Sequence, residues 1–203
     1  DFSRPNLSYA VRHTDDKNEQ LLRIIRNVGG SGIVYVRTRE GAEQVAAFLR
    51  DEGISAEYYH GGLGHAERSM RQEAWISGRT PVMVATNAFG MGIDKPDVRL
   101  VIHLDLPDSP EAYFQEAGRA GRDGEKAYAV ILYSKSDKVT LHKRIPDTFP
   151  DKDYIKKVYE HLQYYYQMAM GDGLGCTKEF NLEEFCRKFK HFPVPADSAL
   201  KIL

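Results

Sequence analysis

Residues 32–59, GIVYVRTREGAEQVAAFLRDEGISAEYY, decide the fold class, because an apolar run, a polar turn, a helical pattern and a second apolar run follow one another without a break. Gly32 to Val36 is short and rich in branched residues, as suits a strand covered on both faces. Arg39 to Glu52 reads as a helix, with Thr38 placed to cap its first turn and Gly53 closing it. Ala56 to Tyr59 returns to strand character. The rhythm then continues through a helix near Ala66 to Ile76 and a strand from Pro81 to Ala85. An irregular loop containing glycine leads to a strand from Leu100 to Leu104, a helix opens at Pro110, and Ala127 to Tyr133 is strand-like again. Short buried strands alternating with helices predict an α/β sandwich of three layers built on a mainly parallel sheet, with ligands gathered at the carboxyl ends of the strands.

After about Pro150 the pattern changes. Asp151 to Met170 reads as one long helix, Gly171 to Gly175 interrupts it, and Asn181 caps a shorter helix through Phe189. The expected organisation is therefore a domain over residues 1–150 and a small α-helical extension over 151–203. Tyr154, Tyr159 and Tyr164-Tyr165-Tyr166 suit either base stacking or amphipathic packing, the second being the commoner use of such spacing. Gly173 to Lys178 lacks the Gly-Lys-Ser/Thr order of a phosphate loop and reads as a turn between helices.

With 203 residues, the chain is long enough for one full domain and an appendage. Lys+Arg of 28 against Asp+Glu of 29 leaves a formal charge of -1, so a nucleic-acid contact would have to come from a local patch. The two cysteines, Cys176 and Cys186, form neither a disulfide framework nor a zinc ligand set, and a reducing cytoplasm is expected. No apolar run approaches membrane-spanning length, so no membrane partner is expected.

Gln115-Glu116-Ala117-Gly118-Arg119-Ala120-Gly121-Arg122 places two arginines behind a glutamine. Ser109 can cap a helix that begins with Pro110. If that helix runs on toward Gly121, Gln115, Arg119 and Arg122 share one stripe, and guanidinium pairs match phosphate oxygens in planar, bidentate geometry. A solvated arginine face is the plainer alternative. Gly118 and Gly121 weaken a helix and point instead to a close backbone approach.

A second segment, Ala85-Thr86-Asn87-Ala88-Phe89-Gly90-Met91-Gly92-Ile93-Asp94-Lys95-Pro96, follows a strand. Thr86 and the backbone near Gly90 and Gly92 can turn donors toward phosphate, and Asp94 can accept from a ribose. An ordinary turn closed by Pro96 accounts for the same residues. Two further loops, Tyr35 to Arg39 and Tyr59 to Gly62, leave strands at the same edge. Thr38, with Arg37 or Arg39 beside it, can aim helix N–H groups at a phosphate, whereas His60 alone suits packing as well as binding.

In this order and at these intervals the segments resemble the second motor lobe of superfamily 2 helicases, and most closely the RecQ family of DNA helicases. The resemblance covers about residues 1 to 145 and rests on Arg4-Pro5-Asn6, the two loops just described, FGMGIDKP and QEAGRAGRDG. DEAD-box RNA helicases usually carry His-Arg where this chain has Gln115 and Glu116.

The resemblance implies a RecA-like fold and an ATP-dependent 3′-to-5′ helicase acting in DNA repair and recombination. It implies that Gln115, Arg119 and Arg122 serve catalysis, Arg122 as arginine finger, and that Asp94 and Gly92 face the nucleotide. Thr38, Arg39, His60, Gly61, Thr86 and Asn87 would hold phosphates of single-stranded DNA near duplex junctions. ATP and Mg²⁺ would be bound mainly by a first lobe, because no phosphate loop of the form Gly-x-x-x-x-Gly-Lys-Ser/Thr and no Asp-Glu box occurs here. The chain is accordingly expected to be inactive alone, as the carboxyl-side part of a motor whose first lobe lies in the same polypeptide. RecQ proteins usually continue into a zinc module with four cysteines. With Cys176 and Cys186 only, a zinc-free helical substitute is expected from Asp151, and no metal ligands are assigned. An RNA helicase, a translocase that does not separate strands, and a free-standing nucleic-acid-binding module are the alternatives. The expected location is cytoplasmic, with the nucleoid in a bacterium.

Overall fold

The computed structural model describes residues 4–90, 93–169, 175 and 177–203. It divides into two compact units, Asp1–Asp137 and Lys138–Leu203.

The first unit holds β1 (Leu7–His13), α1 (Lys17–Val28), β2 (Ser31–Tyr35), α2 (Arg39–Asp51), β3 (Ala56–Tyr59), α3 (His65–Ile76), β4 (Val82–Ala85), β5 (Val98–His103), α4 (Pro110–Ala117) and β6 (Ala127–Tyr133). The six strands form one sheet in the order β1-β6-β5-β2-β4-β3, and every pairing is parallel. Because side chains alternate along a strand, the sheet carries two cores. Ile33, Tyr35, Met83, Ala85 and Val101 pack on one face with Trp75 of α3 and Ala117 of α4. Val34, Val36, Val82, Val84, Leu100 and Ile102 pack on the other with Leu21 and Ile24 of α1 and Ala42, Ala46 and Leu49 of α2. The result is the expected three-layer α/β sandwich.

Local chemistry sets the helix starts. Asp16, Thr38 and Ser109 each accept a backbone N–H from the first turn of α1, α2 and α4. Helix α4 stops at Ala117 and does not run on toward Gly121, so the expected stripe of Gln115, Arg119 and Arg122 does not form. The backbone enters short turns instead, with Arg119 N–H donating to Glu116 O at 3.2 Å and Ala120 N–H to Ala117 O at 3.1 Å. Gly121 then reverses the path at φ +65°. Carbonyls that a longer helix would use are taken by the chain's opening: Arg4 donates to Gly118 O at 3.1 Å and Ala120 O at 2.6 Å, and Asn6 to Gly121 O at 2.7 Å.

The second unit contains α6 (Lys152–Tyr166), α7 (Leu182–Phe189) and α8 (Pro193–Ile202); α5 (Lys135–Thr148) spans the division between units. Val158, Phe185, Cys186, Ala196 and Ala199 form its core. Beneath α7 a relay of rings joins the helices: Tyr154 Oη lies 3.0 Å from His191 Nδ1, and His191 Nε2 lies 2.8 Å from His161 Nδ1. Tyr165 and Tyr166 also serve packing, the first against Phe180 and Phe185 and the second through a hydrogen bond to Glu179 O. Among the described residues no helix is long and apolar enough to cross a membrane.

Candidate functional site

In an all-parallel sheet every carboxyl end lies along one edge, so the segments after β2, β4 and β3, which are neighbours in the sheet, must run side by side. They carry the residues expected to meet nucleic acid. Thr38 is exposed after β2 and its Oγ1 accepts from Gly41 N at 2.9 Å, which leaves the opening N–H groups of α2 directed outward. Arg39 lies across the β3 loop so closely that a Cβ on Gly62 would sit 2.9 Å from its Nη1. Gly61 faces Ala88 of the β4 loop, its Cβ position only 3.8 Å from the Ala88 Cβ. The three loops therefore form one contiguous surface, and glycine at 62 is needed for the arginine to lie flat against the backbone.

His60 is buried and organises this surface from below. Its Nε2 is 3.0 Å from Glu43 Oε1, its Nδ1 accepts from Gly62 N at 3.2 Å, and its ring stacks on Tyr58. These contacts hold the shape of the turn. Thr86 is likewise buried, with Ala88 N–H approaching its Oγ1 at 3.4 Å and Phe89 N–H donating to its carbonyl at 3.0 Å. Asn87 stands exposed at the tip. A cationic side chain above helix and loop N–H groups suits the sugar–phosphate chain of a nucleic acid.

The second group of residues lies elsewhere. After β4 the chain descends to the start of β5, and the turn from α4 meets it there: Gly121 N–H donates to Val98 O at 2.8 Å and Asp123 N–H to Pro96 O at 3.2 Å. Arg122 Nη1 is 3.1 Å from Asp94 Oδ1 and 3.4 Å from Ile93 O. The pair is open to solvent, the side chains being 39% and 85% exposed, so it holds the guanidinium at little energetic gain. An arriving phosphate can replace Asp94 at small cost. Both residues stand at the amino edge of β5 and not at the carboxyl edge where ligands were expected.

Arg119 has a different environment. It is 8% exposed, and its guanidinium covers Gly90 so tightly that a Cβ there would meet Nη2 at 2.5 Å. It sits beside Tyr35, whose phenol is pushed up by burial and drawn back by the Arg119 charge, and whose hydroxyl donates to Phe89 O at 3.0 Å. Arg119 thus ties the β4 loop to the α4 turn, with its Nε unpartnered among the described residues. Gln115 is exposed on the last turn of α4. Gly92 lies outside the described residues.

Sequence reasoning missed the anchoring role of Arg4 and Asn6, and it missed His103, which is 1% exposed with Nε2 2.7 Å from Glu116 Oε2. A lone histidine and a glutamate thirteen positions later carry no local signal of pairing. Cys186 is buried in the helical core, where desolvation raises its thiol. Cys176 lies outside the described residues. Among those described, no three His, Cys, Asp or Glu side chains are arranged to hold a metal ion.

Comparison with known proteins fits this geometry. Residues 16–124, more than half of the chain, match the helicase conserved C-terminal domain. The chain is 50% identical over 147 residues to the ATP-dependent DNA helicase hus2/rqh1 of Schizosaccharomyces pombe, covering 71% of this chain and 11% of that protein. A putative ATP-dependent DNA helicase Q1 of Caenorhabditis elegans is 40% identical over 192 residues, covering 91% of this chain and 29% of its own length. The chain thus spans less than a third of either relative. Among solved structures, the Escherichia coli DEAD-box protein SrmB, bound to the regulator of ribonuclease activity A, superposes with a TM-score of 0.62 at 31% identity, over 70% of this chain and 85% of that one.

Proposed function

The chain belongs to the helicase conserved C-terminal domain family in its RecQ form, and from that premise we propose that it is the second motor lobe of an ATP-dependent DNA helicase that travels 3′ to 5′ and serves repair and recombination. The observation that carries the reading is the Asp94–Arg122 pair, an exposed guanidinium held in place by a partner that phosphate can displace. In this reading a first lobe of the same polypeptide binds ATP and Mg²⁺, and Arg122 reaches across to the γ-phosphate when the lobes close. A positioned arginine at a phosphoryl-transfer transition state is worth about 10³ to 10⁵ in rate. Arg119 keeps the β4 loop and the arginine turn in register, so that nucleotide and strand are sensed together. Gln115 approaches the same nucleotide from α4.

The loops carrying Thr38, Arg39, Gly61 and Asn87 grip the backbone of one DNA strand, with His60 and Thr86 fixing their shape. Closure and release of the lobes then move the strand in one direction. Without the first lobe the chain does not turn over ATP. The helical unit takes the place of a zinc module without zinc, which stoichiometric zinc in chelator-washed protein would overturn.

The test is ATP hydrolysis by the complete protein with single-stranded DNA, with single-stranded RNA and with neither, followed by unwinding of duplexes bearing a 3′ or a 5′ tail. Stimulation by DNA and opening of the 3′-tailed duplex are expected. Stimulation by RNA alone moves the assignment to an RNA helicase, and stimulation without strand separation moves it to a translocase.

A further inference from the structure

Two ion pairs meet at the turn that carries Arg122, and they differ in how far water reaches them. The Asp94–Arg122 pair is open, whereas the Arg99–Asp123 pair beside it is shielded, its side chains being 19% and 27% exposed. Arg99 Nη2 lies 2.6 Å from Asp123 Oδ1 and 2.6 Å from Oδ2, and this contact holds the Asp123 carboxyl below the usual carboxylate range. Asp123 Oδ1 also accepts the Glu125 N–H at 3.0 Å. The residue that follows Arg122 is thus fixed from two directions.

The rest of the Arg99 guanidinium is engaged by the backbone. Nη1 donates to Lys126 O at 3.2 Å and Nε to Asp97 O at 3.2 Å. One side chain therefore spans the turn after Arg122 and the loop after Asp94. That loop has a second anchor in Lys95, which is 7% exposed and donates from Nζ to Asp97 Oδ2 at 3.2 Å and to Ile76 O, at the end of α3, at 3.0 Å. Asp97 is gripped at its carbonyl by Arg99 and at its carboxylate by Lys95. The stem of Arg99 is fixed as well, since it lies so close to Gly30 that a Cβ there would meet its Cγ at 2.7 Å. A planar guanidinium spread over three partners holds them in one geometry, which the single ammonium of a lysine cannot do.

Asp94, whose side chain is 85% exposed, orients the Arg122 guanidinium but does not fix the backbone on which it stands. Arg99 does. We propose that Arg99 is a positioning residue for catalysis: through Asp123, Lys126 and Asp97 it holds the turn carrying Arg122 and the loop carrying Asp94 at one spacing, so that the Arg122 guanidinium meets the transition state already placed. The assignment rests on the reading of Arg122 as the catalytic arginine. Misplacing a reacting group by about 1 Å costs about 10²-fold in rate, so the loss should fall on the chemical step and not on nucleotide binding.

The test measures ATP hydrolysis by the complete protein at saturating single-stranded DNA. The parent, Arg99→Ala, Arg122→Ala and the double variant are compared after circular-dichroism melts have shown which of them are folded. Arg99→Ala should lower kcat about 10- to 100-fold with KM for ATP little changed. It should weaken binding of ADP–aluminium fluoride, a transition-state mimic, by a similar factor, and leave binding of ADP–beryllium fluoride, a ground-state mimic, at the parental value. Because Arg99 acts through Arg122, the double variant should be no slower than Arg122→Ala alone. Asp123→Ala removes the same contact from its more exposed side, and with the same expectations it carries the test if Arg99→Ala does not fold. Parental kcat in a folded variant, equal loss of both mimics, or a full further loss on top of Arg122→Ala overturns the assignment, while a slow Arg122→Ala keeps the motor reading. Parental hydrolysis by Arg122→Ala removes that reading and the Arg99 assignment with it.

Discussion

Replacing Gly121 by alanine disturbs the backbone that carries both arginines, and the structure fixes how much it should cost. Gly121 has a φ of +65°, and a Cβ there would lie 2.7 Å from Asn6 Nδ2, 2.9 Å from Ala127 Cβ and 3.0 Å from Glu125 O. The left-handed conformation costs a residue with a Cβ about 1–2 kcal/mol. Forcing a methyl into a filled space costs about 1–3 kcal/mol. Moving Asn6 also endangers its hydrogen bonds to Gly121 O and Glu125 O, at about 1 kcal/mol. The expected destabilisation is about 3–6 kcal/mol, a large part of the roughly 5–15 kcal/mol that holds a domain folded. Gly124→Ala is the matched control, because Gly124 has φ +87° with nothing within 4 Å of its Cβ position. It should cost only the backbone part, about 1–2 kcal/mol. Urea unfolding followed by the fluorescence of Trp75, the single tryptophan and fully buried in the first unit, measures both. Equal costs, within about 0.5 kcal/mol, would refute the argument that the turn is packed against β6 and the chain's opening.

Arg39→Ala should weaken single-strand binding by the complete protein and reduce the slope of log K against log salt by about 0.7, the value for one lost phosphate contact; an unaltered slope in a salt titration would show that Arg39 touches no phosphate. Gly62→Ala should mimic that loss, since its Cβ would displace the Arg39 guanidinium at 2.9 Å, whereas Gly64→Ala, with nothing within 4 Å, should bind normally in the same titration. Burial, with Lys157 nearby, lowers the pKa of His161, and burial together with His161 and Lys157 lowers that of His191. The unfolded chain therefore binds more protons below the ordinary histidine value of about 6.5, so the helical unit is fully stable above that pH and loses stability as pH falls below it. Circular-dichroism melts across this range should show the decline, and His161→Gln should flatten it; a unit that strengthens on acidification would reverse the sign and refute the relay.

Much of the sheet was legible because its strands are covered on both faces and read as unbroken apolar runs, as Ser31–Tyr35 and Val82–Ala85 do. β1 escaped notice because only Leu7 is buried along it and it pairs at the sheet's edge. Helix α8 was hidden by Pro193 and Pro195, which sit in its first turn, where a missing N–H is harmless. The early end of α4 was illegible for another reason. Its causes, Arg4 and Asn6, are more than 110 positions away in the chain. At the site, the loops around Thr38, His60 and Thr86 were found from their places after strands, but local sequence could not separate the residues that face a ligand from those that hold them. That His60 and Arg119 are buried shows only in the fold.

The central claim, that Arg122 is a catalytic arginine held ready by Asp94, is tested most directly by single-turnover ATP hydrolysis of the complete protein on single-stranded DNA, comparing the parent with Arg122→Ala. The account predicts a fall of about 10³ to 10⁵ in the hydrolysis rate, with nucleotide and DNA affinity largely kept. Hydrolysis at the parental rate in a folded, nucleotide-bound variant would contradict it.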